Sequence, residues 1–253
     1  MPAPLEVEQA IILVKASPHP SHRYQETVCC AGVTPNREWR RLYPIRFRHL
    51  SGDAQFRRWD RVEYRGRRPS DDPRWESRRV DEPSLRNHGP IPKQERAGFL
   101  GPLIRSSIAD AAGRGESLTI VRPRSLRFRW RPKSVEEVEA ERTKAAAASA
   151  QGSFLDAQLT ELEPTPYHLG MGFEDATGRH SMMCGDWETP TAFWRWRRDY
   201  GEERSLQLLK KTYEEDYFQR GMVLALGTVA KRPRQWLLLG VIRLDETTQP
   251  EFL

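Results

Sequence analysis

Residues 125–131 alternate apolar and basic side chains with a period of two. The segment contains an apolar set and a basic set, Leu126, Phe128 and Trp130 against Arg127, Arg129 and Arg131. Because successive side chains of a β-strand point to opposite faces, the pattern predicts a strand with one buried face and one arginine face. The fold must therefore contain a sheet whose outer surface presents three guanidinium groups in a row.

Strand and helix signals are mixed along the rest of the chain. Strands are predicted at residues 10–16, 26–33, 38–42, 61–64, 118–121, 125–130, 167–173, 181–184, 222–230 and 236–244. Helices are predicted at 94–112, at 135–150 behind a Ser134–Glu137 capping box, from Thr189 onward, and at 202–220. Turn residues favour loops at 83–92 and 231–235. The order predicts an α+β fold, in which an arginine-rich, barrel-like N-terminal sheet precedes a helical and β-hairpin C-terminal part.

The two halves of the chain carry net charges of opposite sign. Residues 1–133 hold 27 basic and 15 acidic side chains, net +12, whereas residues 134–253 hold 14 and 20, net −6. We therefore expect a basic β-rich subdomain at 1–133 and an acidic α+β subdomain at 134–253, closely packed on the first. Within residues 37–79, 14 arginines stand against 7 acids, so this window is the predicted electrostatic centre.

Several function classes lack their sequence signals. The apolar runs 222–230 and 236–242 are shorter than the roughly 20 residues of a membrane helix, and residues 1–10 lack the pattern of a secretory signal. Three cysteines fit a reducing compartment, so we expect a cytoplasmic protein. The sequence has no phosphate-binding glycine loop, dinucleotide fingerprint, kinase motif set or nucleophile elbow, so we expect no cofactor.

Arginines and aromatic residues are interleaved at several places in the basic half. Guanidinium groups neutralise phosphates, and aromatic rings or guanidinium planes stack on unpaired bases, so nucleic acid, DNA or RNA, is the favoured partner. The predicted contact residues are Arg40, Arg41, Arg57, Arg58, Arg67, Arg68, Arg127, Arg129, Arg131, Trp39 and Trp59. The alternative is that the tryptophans are core residues and that the arginine stems only cover them.

The favoured function is a nucleic-acid-binding component of a larger nucleic-acid-processing or defence system, which requires no catalysis. Two alternatives stay open. A metal-dependent nuclease or other hydrolase would use Asp71, Asp72 and Glu76, or the residues 180–188, although the surrounding arginines favour simple ion pairing. A non-catalytic subunit would instead dock on an acidic or RNA-containing complex. We assign no catalytic residue and no metal ligand, because His180 and Cys184 alone are too few for zinc.

Three segments together resemble a family of uncharacterised bacterial proteins. They are W-x-R-L-Y-P at residues 39–44, D-P-R-x-E-S at 72–77 and D-W-E at 186–188. The resemblance spans most of the chain and implies a single α+β unit. Some members carry extra cysteines ahead of the histidine that corresponds to His180, which this chain lacks. The family has no assigned activity, so the resemblance leaves the function open.

Overall fold

The computed structural model describes residues 4–16, 19–21, 25–150 and 163–246. Its strands are β1 (Glu6–Lys15), β2 (His19–Ser21), β3 (Gln25–Val33), β4 (Trp39–Ile45), β5 (Asp60–Arg67), β6 (Ser77–Pro90), β7 (Ile104–Arg105), β8 (Leu118–Val121), β9 (Ser125–Pro132), β10 (Tyr167–Glu174), β11 (Arg179–Met183), β12 (Met222–Val229) and β13 (Arg232–Arg243). Its α-helices are α1 (Lys93–Leu100), α2 (Ile108–Gly113), α3 (Val135–Ala150), α4 (Glu188–Tyr200) and α5 (Glu202–Lys211). Among these residues, no helix is long and apolar enough to cross a membrane.

The N-terminal strands close into a five-stranded barrel. β1 pairs with β5, β5 with β6, β6 with β4, β4 with β3, and β3 returns to β1. All these pairs are antiparallel except β4–β6, which is parallel. Counted along the chain, the barrel order is 1-4-5-3-2, which is the Greek-key connectivity of the oligonucleotide/oligosaccharide-binding (OB) fold. The predicted barrel-like sheet and the α+β class are confirmed.

Strand alternation gives the barrel an apolar interior and a second apolar surface outside it. The interior holds Ile12, Val28, Leu42, Val62 and Tyr64, all buried. The outer surface of β1, β3 and the start of β4 presents Ile11, Leu13, Ala31, Val33 and Trp39, which are also buried. Because both sides of these strands are apolar, a second layer must cover the barrel.

That second layer is the four-stranded sheet β13-β12-β8-β7. One of its faces packs on the outside of the barrel, through Leu118, Ile120, Val223 and Ile242. Its other face shares a core with α4, α5 and the inner face of a third sheet, β11-β10-β9. The apolar set of β9 lies in this core, so the arginine set lies on the opposite, outer face.

Most local predictions hold, and the capping box is one of them. The Ser134 amide donates to the Glu137 carboxylate at 2.9 Å, and the Glu137 amide donates to the Ser134 hydroxyl at 3.2 Å. Strands β8 and β9 pair with β12 and β10, which follow residue 133 in the chain. The division into subdomains at 1–133 and 134–253 stays a prediction.

Several predicted elements are wrong in detail. The loop expected at 83–92 is largely the second half of β6, where Pro83 sits in an irregularity of the pairing with β5. The helix expected at 94–112 is interrupted by β7, and α4 begins at Glu188 with no side-chain cap. Because β13 begins at Arg232, the five-residue basic loop is a tight turn followed by a bulge. Strand β13 lies at one edge of its sheet.

Candidate nucleic-acid interface

The outer face of the β9–β10–β11 sheet presents the predicted arginine row. Arg127, Arg129 and Arg131 are all exposed there, with the Arg127 side chain 74% accessible. Neither Arg129 nor Arg131 makes a salt bridge with any described residue, and Arg127 pairs with Glu214 at 3.1 Å. We call this surface, centred on the three arginines, the arginine face.

Two glycines of β10 lie beside the arginine row. In the strand register, Gly170 lies between Arg129 of β9 and Met183 of β11, and Gly172 lies between Arg127 and Ser181. A methyl group at position 172 would meet Nε, Cζ and a terminal nitrogen of Arg129 at 3.1, 3.2 and 3.2 Å. Because the three atoms are nearly equidistant from that point, the Arg129 guanidinium plane lies flat above Gly172.

Acidic side chains lie at the margins of the arginine face. Glu214 accepts a hydrogen bond from the Phe128 amide on the free edge of β9, at 2.9 Å, and so blocks that edge against further pairing. At one end of the sheet Glu174 lies 3.7 Å from Arg179, and at the other Glu137 lies 3.0 Å from His168. Arg179, whose side chain is 90% exposed, adds a further positive charge to this face beside Glu174.

In the barrel, predicted contact arginines are instead held by carboxylates. Arg40 is 6% exposed and pairs with Glu8 at 3.1 Å and Glu38 at 2.8 Å. Arg41 pairs with Glu76 at 3.1 Å and donates to the Ser117 carbonyl at 2.6 Å, which ties the barrel to the strand β8 region. Burial and the neighbouring Arg74 charge lower the pKa of Arg41. Both side chains thus use donors inside the fold, and their assignment to nucleic acid stays a prediction.

Arg58 is the most deeply anchored of the predicted contacts. It pairs with the fully buried Asp186 at 2.8 Å and with Glu188 at 3.3 Å, and it donates to the Val241 carbonyl. Burial alone would lower the pKa of Arg58, but the two carboxylates outweigh it and raise that pKa. This buried Arg58–Asp186 pair joins the barrel to α4 and β13, and the assignment of Arg58 to nucleic acid stays a prediction.

The two predicted tryptophans belong to the core, as the alternative interpretation of the sequence allowed. Trp39 is 6% exposed and Trp59 is 5% exposed, both in the cluster between the barrel and the second sheet. The Arg96 guanidinium lies 4.8 Å from the Trp59 ring centroid and covers it. Neither indole presents a face to a base.

The remaining predicted residues are accessible but dispersed. Arg57 and Arg68 are exposed, Arg67 is half-buried, and none of them forms a salt bridge with a described residue. Arg57 precedes β5 and Arg67 ends it, so the length of that strand separates them by about 25 Å. Their role as contacts stays a prediction, and the structure does not gather them into one patch.

The structure also shows accessible residues that sequence reasoning missed. Trp75 is 49% exposed in the β5–β6 loop, with the Arg40 guanidinium 5.7 Å from its ring centroid. Lys231, Arg232 and Arg234 are exposed at the tip of the β12–β13 hairpin. The hairpin cations were visible in the sequence as a basic loop, whereas Trp75 had no distinguishing signal beside the seven other tryptophans.

The carboxylates of the hydrolase alternative lie in separate ion pairs. Asp72 pairs with Arg74 at 2.6 Å, Asp71 with Arg79 at 3.0 Å, and Glu76 with Arg41. Partial burial would raise the pKa of Asp72, but hydrogen bonds from Arg74 and Ser77 lower it to about 2. Over the described ranges, no three His, Cys, Asp or Glu side chains form a group that could hold a metal ion.

The residues 180–188 serve separate structural contacts. His180 stacks on Phe173 and lies 2.9 Å from the buried Asp175. Burial raises the pKa of the Cys184 thiol to about 12, and its sulfur lies 3.4 Å from the Thr189 hydroxyl. Asp186 belongs to the pair with Arg58 already described. The structure therefore does not bring these side chains together at one solvent-facing point.

Comparisons with known proteins show the family. Residues 104–252 match the family described as Domain of unknown function (DUF8757), and residues 6–101 match Domain of unknown function (DUF8758). Since the first match spans more than half of the chain, the chain belongs to the DUF8757 family, which confirms the resemblance to uncharacterised proteins. No curated protein matches.

One solved structure with similarity to this chain is described as "Structure and Conformational Change of a Replication Protein A Heterotrimer Bound to ssDNA". Sequence identity is 10%, the TM-score is 0.27, and the match covers 96% of this chain and 66% of that chain. A TM-score of this size does not establish a common fold. The barrel assignment therefore rests on the strand pairings alone.

Proposed function

We propose that this member of the DUF8757 family binds nucleic acid through the arginine face, as a component of a larger nucleic-acid-processing or defence system. The supporting observation is the row itself, in which three guanidinium groups share one exposed face and two have no salt bridge to a described residue. Like charges placed side by side repel one another, so the row costs stability when empty. Phosphates would relieve that repulsion, and arginine suits them because of its planar fork of donors.

The structure of the barrel favours an interface outside the barrel, because the face that OB folds use for binding is covered here. OB barrels that bind oligonucleotides use the face of their second and third strands, which here are β3 and β4. In this chain Ala31, Val33 and Trp39 of that face pack against the four-stranded sheet, and Arg41 is bonded to Ser117. A fold alone does not assign a function, so we place the interface on a surface that is accessible to a ligand. The arginine face is accessible, whereas the usual binding face of the barrel is covered.

The test is a triple variant, Arg127→Ala, Arg129→Ala and Arg131→Ala, measured by fluorescence anisotropy with labelled nucleic acids across salt concentrations. We expect weaker binding to every sequence, because phosphate contacts carry no sequence information. The slope of log K against log salt should become shallower by about 2 for a single strand or about 3 for a duplex, since each lost phosphate contact contributes about 0.7 or 0.9.

A matched control removes the same charge from another surface. Arg204, Lys210 and Lys211 are exposed on α5, and their replacement by alanine changes the net charge by the same three units. If both triple variants lose affinity equally, only net charge matters and the arginine face is not the interface. If the unaltered protein binds no nucleic acid at low salt, the proposed function itself is wrong.

A further inference from the structure

We propose that the arginine face holds a single strand of nucleic acid, with its phosphates on the β9 arginines and its bases over Gly170 and Gly172 of β10. This inference rests on the proposed function. It adds which form of nucleic acid is bound and which contacts select that form.

The first argument is the shape of the surface. Gly170 and Gly172 place no side chain of their own between the arginine row of β9 and the residues Ser181 and Met183 of β11, and the Arg129 guanidinium lies over Gly172. Two interstrand spacings separate β9 from β11, which makes a shallow lane about 9.5 Å wide. We call it the glycine lane. It has room for one row of bases, whereas a double helix would rest on its rims and leave the lane empty.

The second argument is the orientation of Arg129. Its guanidinium lies flat above Gly172, and the residue is exposed, so one face of the plane is turned to solvent. A guanidinium plane held in this way stacks on an unpaired base, as arginine does in complexes with single-stranded nucleic acid. A duplex offers no base faces along its length, so this contact favours a single strand.

The third argument is the spacing of the charges. Residues two apart in a strand recur about every 6.6 Å, so the Cα atoms of the three arginines form a straight row at that interval, while the Arg129 side chain reaches across to Gly172 of β10. The interval resembles the spacing of successive phosphates along an extended single strand. The phosphates of a double helix follow a helical path and leave such a straight row after one or two contacts.

The margins of the lane supply its remaining contacts and its limits. Met183 is 54% exposed and lies across the lane from Arg129, where its flexible thioether can pack against bases or sugars. Glu174 and Glu137 lie at the two ends of the face and repel phosphates. The row therefore holds about three phosphates, one for each arginine.

The experiment compares a labelled single-stranded oligothymidine with a DNA hairpin duplex of the same phosphate number, by anisotropy at fixed salt. Two variants leave the arginine charge in place. Arg129→Lys keeps the positive charge but removes the planar group, and Gly172→Ala inserts a methyl that lifts the guanidinium from the sheet. Gly170 is not used, because a methyl there would meet the Met182 carbonyl oxygen at 2.9 Å.

We expect the unaltered protein to prefer the single strand. Arg129→Lys and Gly172→Ala should each weaken single-strand binding about fivefold or more, as expected for one lost stacking contact, and change duplex binding less than about twofold. Gly98→Ala is the control, since a methyl at that exposed position meets nothing within 4 Å. Thermal melting verifies that each variant is folded.

The failure of this inference is distinguishable from failure of the proposed function. Equal affinity for the two probes, or an equal loss for both in the two variants, overturns the single-strand inference. In that case the triple alanine variant still loses binding if the arginine face is the interface. If the unaltered protein binds neither probe at low salt, the proposed function fails and takes this inference with it.

Discussion

The barrel and strand β9 both carry arginines, but those of the barrel are paired inside the fold and those of β9 are exposed on its surface. Arg40, Arg41 and Arg58 each lie within hydrogen-bond distance of a carboxylate and inside the fold. Arg129 and Arg131 project from the outermost sheet and have no salt bridge to a described residue. A high density of arginines along the sequence therefore does not locate a binding surface, because carboxylates inside the fold neutralise barrel arginines such as Arg40, Arg41 and Arg58.

The largest expected effect comes from breaking the buried Arg58–Asp186 pair. Asp186→Ala leaves Arg58 charged and buried, and it removes the acceptor of the Val241 amide at 2.8 Å. We expect a loss of about 3–5 kcal/mol in the free energy of unfolding, measured by chemical denaturation. Nucleic-acid affinity of the folded fraction should not change.

Asp199→Ala is the matched control for that variant. Asp199 is exposed, and among the described residues it pairs with its neighbour Arg198, so its loss should change the free energy of unfolding by no more than about 0.5 kcal/mol. A loss below about 1 kcal/mol for Asp186→Ala would show that the Arg58–Asp186 pair contributes little to stability. The contrast between paired barrel arginines and exposed β9 arginines would then not hold for Arg58.

The next effect separates two arginines that the sequence placed in the same predicted site. Arg41→Ala removes the ion pair with the buried Glu76 carboxylate and the hydrogen bond to the Ser117 carbonyl, and it should cost about 1–3 kcal/mol of stability. Arg68→Ala, at an exposed residue, should leave stability within about 0.5 kcal/mol. Urea denaturation of the two variants checks this order, and equal losses would contradict it.

The sequence predicted the fold class better than it predicted the site. Period two in residues 125–131 depends only on the geometry of a strand, so the strand and its arginine face followed directly. Arg40 and Arg41 are neighbours in β4 and so point to opposite sides of the strand, and nothing local showed that Glu8 and Glu76 would reach them. Such pairs join residues more than 30 positions apart, and only the tertiary fold specifies them.

Low pH tests how much the buried carboxylates stabilise the fold, because acid protonates carboxylates and leaves arginines charged. Burial would raise the pKa of Asp175, but hydrogen bonds from the Ile108 and Thr177 amides and the Thr177 hydroxyl, together with the nearby His180 side chain, lower it to about 2. An unfolded aspartate titrates near 3.9, so the folded state binds fewer protons in this range. The carboxylate therefore stabilises the fold above about pH 4, and this contribution is lost as pH falls toward about 2.

The expected loss attributable to Asp175 is about 2 kcal/mol, seen as a falling urea midpoint across that pH range. Asp175→Asn should be destabilised near neutral pH and show a flatter dependence below about pH 4. Asp199→Asn is again the control and should follow the unaltered protein. A dependence that Asp175→Asn leaves unchanged would assign the acid sensitivity to other carboxylates.

The smallest expected effect concerns Glu214, which forms a salt bridge with Arg127 of the arginine row. Glu214 pairs with the exposed Arg127 at 3.1 Å and accepts from the Phe128 amide, so Glu214→Gln keeps an acceptor for that amide and removes the charge. The Arg127 side chain is 74% exposed and the Glu214 side chain 9% exposed, so solvent screens the arginine of the pair; a surface pair is worth up to about 1 kcal/mol, and releasing Arg127 should raise nucleic-acid affinity about twofold. The control is Glu215→Gln, an exposed neighbour with the same change in charge. If both variants raise affinity equally, the gain comes from net charge alone, and Arg127 behaves as a general surface cation and not as part of a binding row.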